Sequence, residues 1–219
     1  MISLGENCRS FDSALIPTDL DGGRLLGTWY PLFNSNHDKF GLNKPKRCPI
    51  SLIEGWDLSK HEKNPLMKSW DLSQFNGFKL KTASFFPKVN FPSKMWFKGW
   101  MSKDKPYQGG LWAGILPIPL KKDDFDNLQV VATDYDNFAI FYLCSRHLSD
   151  RLVVDGDRVF VWSRFPSVEE MSAEGQSKLE EAFNSLFGQQ EGFESYSWGE
   201  IESTFVVHDH SDCAKYPKV

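Results

Sequence analysis

The side chains able to do chemistry are few and widely scattered. Four cysteines, Cys8, Cys48, Cys144 and Cys213, include no CxxC pair, which disfavours a zinc cluster and a thioredoxin-like redox pair. An even count of scattered cysteines fits two disulfides in an oxidising compartment; four buried free thiols are the alternative. His208-Asp209-His210 resembles the start of a metal site but lacks a third ligand at close spacing, so no metal is expected there. His37 follows the first hydrophobic run and could touch a ligand or a haem iron, although a loop histidine doing neither is the plainer reading. GxSxG, P-loop, HExxH and GxGxxG patterns are all missing, so no catalytic residue is assigned.

The most concentrated chemistry lies between Lys79 and Lys105. Seven lysines (79, 81, 88, 94, 98, 103 and 105) face a single acid, Asp104, and are interleaved with Phe85, Phe86, Phe91, Trp96, Phe97 and Trp100. Stacking aromatics beside a basic groove is how single-stranded nucleic acid is held, but the chain as a whole is acidic, with a formal net charge of −4, and no nucleic-acid partner is expected. The even spacing of Lys79 with Lys81 and of Lys94 with Lys98 fits a solvated strand face with the aromatics turned inward. A sharper reading has some of these lysines rim an open end and pair with a ligand carboxylate.

These residues must be positioned by short runs rich in Val, Ile, Phe, Tyr and Trp, which are separated by turn residues from about 24 to 165 and read as antiparallel strands. The runs are Arg24 to Phe33, Arg47 to Leu58, Leu66 to Leu72, Gly77 to Phe86, Met95 to Met101, Leu111 to Ile118, Leu128 to Thr133, Phe138 to Cys144 and Arg158 to Phe165. One helix is expected from about 172 to 187, with Leu179, Phe183 and Leu186 on one stripe and Gly188 as its C-terminal cap. A last strand, Glu202 to Val207, opens a polar tail over 202–219. The pattern predicts an all-β fold: an eight-stranded up-and-down antiparallel barrel, closed so that no edge is exposed, with one C-terminal α-helix packed outside. The 219 residues, 41% of them hydrophobic, suit one such domain. Every apolar run is interrupted well before a membrane-spanning length. Met1 to Glu6 has neither a basic nor an apolar leader character.

Three segments then resemble the signature motifs of the lipocalins: Gly27-Thr28-Trp29-Tyr30 on the first strand, Thr133-Asp134-Tyr135 between two late strands, and Arg164 at the end of the last long strand. On physical grounds, barrel closure would bring Trp29 and Arg164 together as a cation-π pair worth about 0.5 to 2 kcal/mol, and Asp134 suits a tight turn. Cys48 at the start of the second strand and Cys144 at the end of a late one are similar to placements in the subgroup of apolipoprotein D and the insect bilin-binding proteins. That resemblance implies Cys8 with Cys144 and Cys48 with Cys213, one of three connectivities open to four cysteines.

A barrel of this size holds one small ligand, and alternation decides which side chains meet it. If Arg164 points inward to Trp29, then Trp162, Phe160 and Arg158 share its face. The resemblance implies Ala139, Phe141 and Leu143 inward, with Cys144 on the opposite face. Phe33 is expected inward two pleats beyond Trp29, and Ile53 inward with Leu52 and Trp56 opposite, although a one-residue slip would invert the second strand. The resemblance thus implies a secreted carrier, not an enzyme, of a small hydrophobic ligand. A bilin such as biliverdin or a carotenoid is favoured over retinoid, steroid or fatty acid, no cofactor is required, and a homo-oligomer is compatible with it. Two alternatives stay open: an enzyme on the same barrel using a reactive thiol or buried acid, and a structural or interaction protein whose barrel is filled by an ordinary aromatic core.

Overall fold

The computed structural model describes residues 11, 17, 19–35, 45–61, 71–86, 91–104, 108–113, 126–145, 156–188 and 195–213. Its strands are β1 (Gly27–Ser35), β2 (Arg47–Trp56), β3 (Phe75–Phe86), β4 (Phe91–Ser102), β5 (Gln108–Ala113), β6 (Asp126–Thr133), β7 (Phe138–Ser145), β8 (Gly156–Ser163) and β9 (Phe205–Val207). All of the strand pairings are antiparallel. The sheet runs β2-β3-β4-β5-β6-β7-β8-β1-β9, and a further β1–β2 pairing through Gly27, Thr28 and Trp29 closes it into a barrel. Closure satisfies the backbone groups that an open sheet would expose at its edges.

The composition of each strand follows from what covers its outer face. In β7 both faces are apolar: Phe138, Ile140 and Tyr142 belong to the outer core, while Ala139 and Phe141 belong to the inner one. The outer core is completed by helix α1 (Ala173–Phe187), which buries Leu179, Phe183 and Leu186. Strand β4, covered by no helix among the described residues, alternates instead, with Phe97 in the inner cluster and Trp96 exposed. An amphipathic helix on one side of a barrel therefore accounts for the continuous apolar run of one strand and the alternation of the other.

Helix α1 starts where Ser172 accepts a hydrogen bond from the Gly175 N–H at 3.1 Å, a regular N-cap. A Cβ at Gly175 would lie 2.5 Å from Asn137 Cγ, so this glycine lets the helix approach the β6–β7 turn. The other end differs from expectation. Gly188 keeps a right-handed backbone (φ −64°, ψ −43°) and donates to Asn184 O, so it prolongs the helix instead of reversing it in a left-handed cap.

Three strand expectations are corrected. Residues 24–26 precede β1 as a turn, with Leu26 N bonded to Gly23 O at 3.2 Å. Leu72 opens a short 3-10 turn, Leu72–Gln74, and the rest of the expected strand at 66–71 lies mostly outside the described residues. Glu202 falls in a single helical turn, α2 (Ile201–Thr204), because Ser203 and Thr204 hydroxyls bond back to Glu200 O; only residues 205–207 are extended.

Candidate functional site

One end of the barrel is plugged. Trp29 is fully buried, donates from Nε1 to Leu25 O at 2.8 Å, and carries the Arg164 guanidinium 3.7 Å above its ring. That guanidinium donates to Thr28 O, Arg24 O, Leu26 O and Tyr135 O at 2.8 to 3.1 Å. One side chain thus staples the turn before β1, β1 itself and the β6–β7 turn. Gly27 has φ +106°, and a Cβ there would meet Arg164 Nη1 at 3.2 Å, so backbone conformation and close approach both call for glycine. Asp134 accepts from the backbone N–H groups of Asn137 (2.8 Å) and Phe138 (3.0 Å), and Tyr135 (φ +67°) accepts from Asp21 N at 2.7 Å. Arg24 stacks 4.2 Å over the Tyr135 ring. Trp29, Asp134, Tyr135 and Arg164 together form this base.

Above the base, register sets the inner face. Gly27 opposes Ile53, Ile53 opposes Leu80, and Leu80 opposes Phe97; across the barrel Val130 opposes Phe141, which opposes Phe160. Ile53, Ala139, Phe141 and Trp162 are buried with Trp29 in this cluster, and Phe160 packs against it half-buried. Leu143 and Arg158 are register partners on the same alternation, nearer the other end. Ala139, Phe141 and Leu143, inward on β7, are all buried.

Phe33 is placed elsewhere. The β1–β8 register shifts between Pro31 and Phe33, so that Pro31 opposes the inward Trp162 whereas Phe33 opposes Val161 of the outer core. Phe33 accordingly meets Trp198 edge-on with centroids 5.8 Å apart. The bulge brings Asn34, opposite Phe160, to the inner face instead. Proline inside a strand is characteristic of a bulge, and Pro31 was the one local signal that could have revealed the inversion.

The basic stretch also lies away from the interior. Lys79, Lys81, Lys94 and Lys98 alternate with inward Phe78, Leu80 and Phe97 and so occupy the outer face. Lys81 pairs with Glu54 at 2.7 Å, and Lys98 sits 4.5 Å from the Trp56 ring centroid. Lys103 binds Ser73 O beside the base. Lys88 and Lys105 lie outside the described residues, as do His37, Cys8 and the Cys144 side chain, and with them the Cys8–Cys144 pairing.

The C-terminal segment brings polar groups to the end opposite Trp29. Strand β9 pairs with β1 so that Val206 opposes Asn34. His208 N then donates to Leu32 O, while Asp209 bonds through its backbone to Lys46 O and Cys48 N. The tail is therefore inserted between the far half of β1 and the start of β2. Arg47 pairs with Asp209 at 2.8 Å, and Cys48 is joined to Cys213 by a disulfide. His208 Nδ1 accepts from Lys46 N at 3.3 Å; burial, then Lys46 and His210, pull its pKa down to about 3, leaving a neutral ring. His210 is held below its ordinary value chiefly by burial and contacts Pro31 O at 2.8 Å. Among the described residues no group of three or more His, Cys, Asp or Glu could hold a metal.

No protein-family model and no curated protein matches the chain. Solved structures do. The cockroach allergen Per a 4 is similar at 14% identity, covering 97% of this chain and 100% of its own, with a TM-score of 0.57. Insecticyanin from the tobacco hornworm Manduca sexta is similar at 14% identity over 94% of this chain and 88% of its own, TM-score 0.57. The amine-binding protein of Rhodnius prolixus, solved with tryptamine, is similar at 13% identity over 92% and 85%, TM-score 0.54. At such identities the likeness is one of fold: the chain has the lipocalin fold.

Proposed function

We propose that this protein binds a small, flat or elongated hydrophobic molecule inside its barrel and carries it unchanged. The observation that carries the reading is the apolar inner face of Ile53, Ala139, Phe141, Leu143, Phe160 and Trp162, stoppered at one end by Trp29 and Arg164. Apolar burial at about 25 cal/mol per Å² supplies the affinity. The fold's capacity for such a guest is supported by the Rhodnius protein, whose tryptamine is flat and aromatic. Absence of catalysis is part of the proposal: Cys48 and Cys213 are consumed in a disulfide, which also supports an oxidising, extracellular setting. Bilin and carotenoid pigments remain the favoured ligands.

Protein purified from its natural source tests this directly. A visible absorption band with one extractable pigment per chain would support pigment carriage, and a colourless protein yielding one lipid per chain would support carriage of another hydrophobic class. Protein with no extractable molecule and no affinity for apolar probes would overturn the reading in favour of a filled barrel.

A further inference from the structure

Two neutral polar atoms on the inner face are buried without a hydrogen bond. Ser51 stands between Trp29 and Thr82 in register, on the same face as Ile53; it is 1% exposed and its Oγ has no partner. Asn34, turned inward by the bulge in β1 and opposite Phe160, is 5% exposed, and its Oδ1 has no partner either. Buried hydroxyls on the outer face are satisfied: Ser35, opposite Phe205, accepts from Val159 N at 3.0 Å, and Ser163, opposite Phe138, donates to Asn137 O at 3.0 Å. A buried polar atom left unbonded costs more than an alkyl group of the same shape, and a guest with matching groups relieves that penalty. Register also gives their spacing. Tyr30 opposes Ser163, which puts Trp29 and its neighbour Ser51 level with Arg164, whereas Asn34 is level with Phe160. The two levels are about 13 Å apart at the rise of a β-strand, with the inward Trp162 between them. An amide oxygen only accepts, so Asn34 Oδ1 calls for an O–H or N–H on the guest, while the Ser51 hydroxyl takes either a donor or an acceptor.

We infer that Ser51 and Asn34 are two polar anchors on an otherwise apolar inner face, and that the natural ligand is an elongated hydrophobe with an O–H or N–H group for Asn34 and a second polar group, about 13 Å nearer the base, for Ser51. The anchors rest on the carrier reading above and narrow it: a hydroxylated carotenoid or a bilin with ring N–H groups qualifies, whereas a hydrocarbon carotenoid does not. They also assign the fixing of the ligand's orientation to two uncharged side chains and not to the lysines between 79 and 105.

Displacement of N-phenyl-1-naphthylamine from the full-length protein by dodecane-1,12-diol and by its dimethyl ether tests the anchors. The two probes share a flexible apolar chain, and only the diol can donate to Asn34 Oδ1. Water solvates the diol better than the ether, so a purely apolar wall would favour the ether; the anchors predict that the diol binds about tenfold more tightly. Asn34→Leu, close in shape, should remove most of that preference without weakening the ether. Ser51→Ala should weaken both probes, because the serine hydroxyl donates to either oxygen. Should Asn34→Leu fail to fold, the comparison of diol with ether on the unaltered protein still decides. Equal affinity for the two, tighter binding of the ether, or a diol preference that survives Asn34→Leu would overturn the anchors and leave the carrier reading intact. A dye that does not bind, with neither probe binding, would overturn both.

Discussion

At the level of single residues, the base of the barrel concentrates several interactions on few side chains, with the Arg164 guanidinium alone bonding four backbone carbonyls and stacking on Trp29. Replacing Gly27 by Ala forces a left-handed backbone on a Cβ that meets Arg164 at 3.2 Å, so a loss of about 1 to 3 kcal/mol is expected in urea unfolding. Asp134→Ala removes the side-chain acceptor of two backbone N–H groups and should cost about 2 kcal/mol in the same measurement. Unchanged stability in both variants would contradict the role given to the base. These residues were legible from sequence because their chemistry is specific: an indole, a guanidinium and a turn carboxylate have few other reasons to recur in that order. Phe33 was not legible in the same way. Its type is right for either side of the wall, and only the bulge after Pro31 decides which.

At the level of elements, helix α1 follows from its 3.6-residue stripe, and Phe183→Ala should lower stability by about 3 to 5 kcal/mol because the ring is fully buried against Phe187, Trp198 and Phe205. The tail is less readable. Val206 and His208 do not announce that they will slot between β1 and β2, since that placement depends on the barrel splaying beyond Trp29, where the β1–β2 register ends. Pairing of Cys48 with Cys213 was implied by the family resemblance and by nothing in the spacing. With the two cysteines separated by 165 positions in sequence, loss of the bond in the Cys48→Ala/Cys213→Ala double variant should cost up to about 5 kcal/mol on the chain-entropy model. A midpoint of urea unfolding that does not move would show that the tail is held by β9 and the Arg47–Asp209 pair alone.

For the whole molecule, the inserted tail links stability to pH. His208 has an ordinary pKa of 6.5 that falls to about 3 in the fold. Between those values the unfolded chain binds a proton that the native one refuses, so stability is complete above about pH 6.5 and declines as pH falls towards 3, by at most about 5 kcal/mol if the full difference is expressed. His210, also lowered, acts in the same direction. The window from pH 6.5 to 4.5 isolates the histidines from the depressed carboxylates of Asp209 and Glu174. There, His208→Gln, which keeps an acceptor for the Lys46 N–H, should flatten the thermal midpoint's dependence on pH; an equally steep slope would place the coupling elsewhere. The central claim, that the interior and not the outer aromatic face receives the ligand, is tested most directly by titrating N-phenyl-1-naphthylamine into three proteins: the unaltered chain, Leu143→Trp, which fills the inner face, and Trp96→Ala, which strips the exposed outer one. One saturable site, lost in Leu143→Trp and retained in Trp96→Ala, is the predicted result; binding that survives Leu143→Trp and disappears in Trp96→Ala would contradict it.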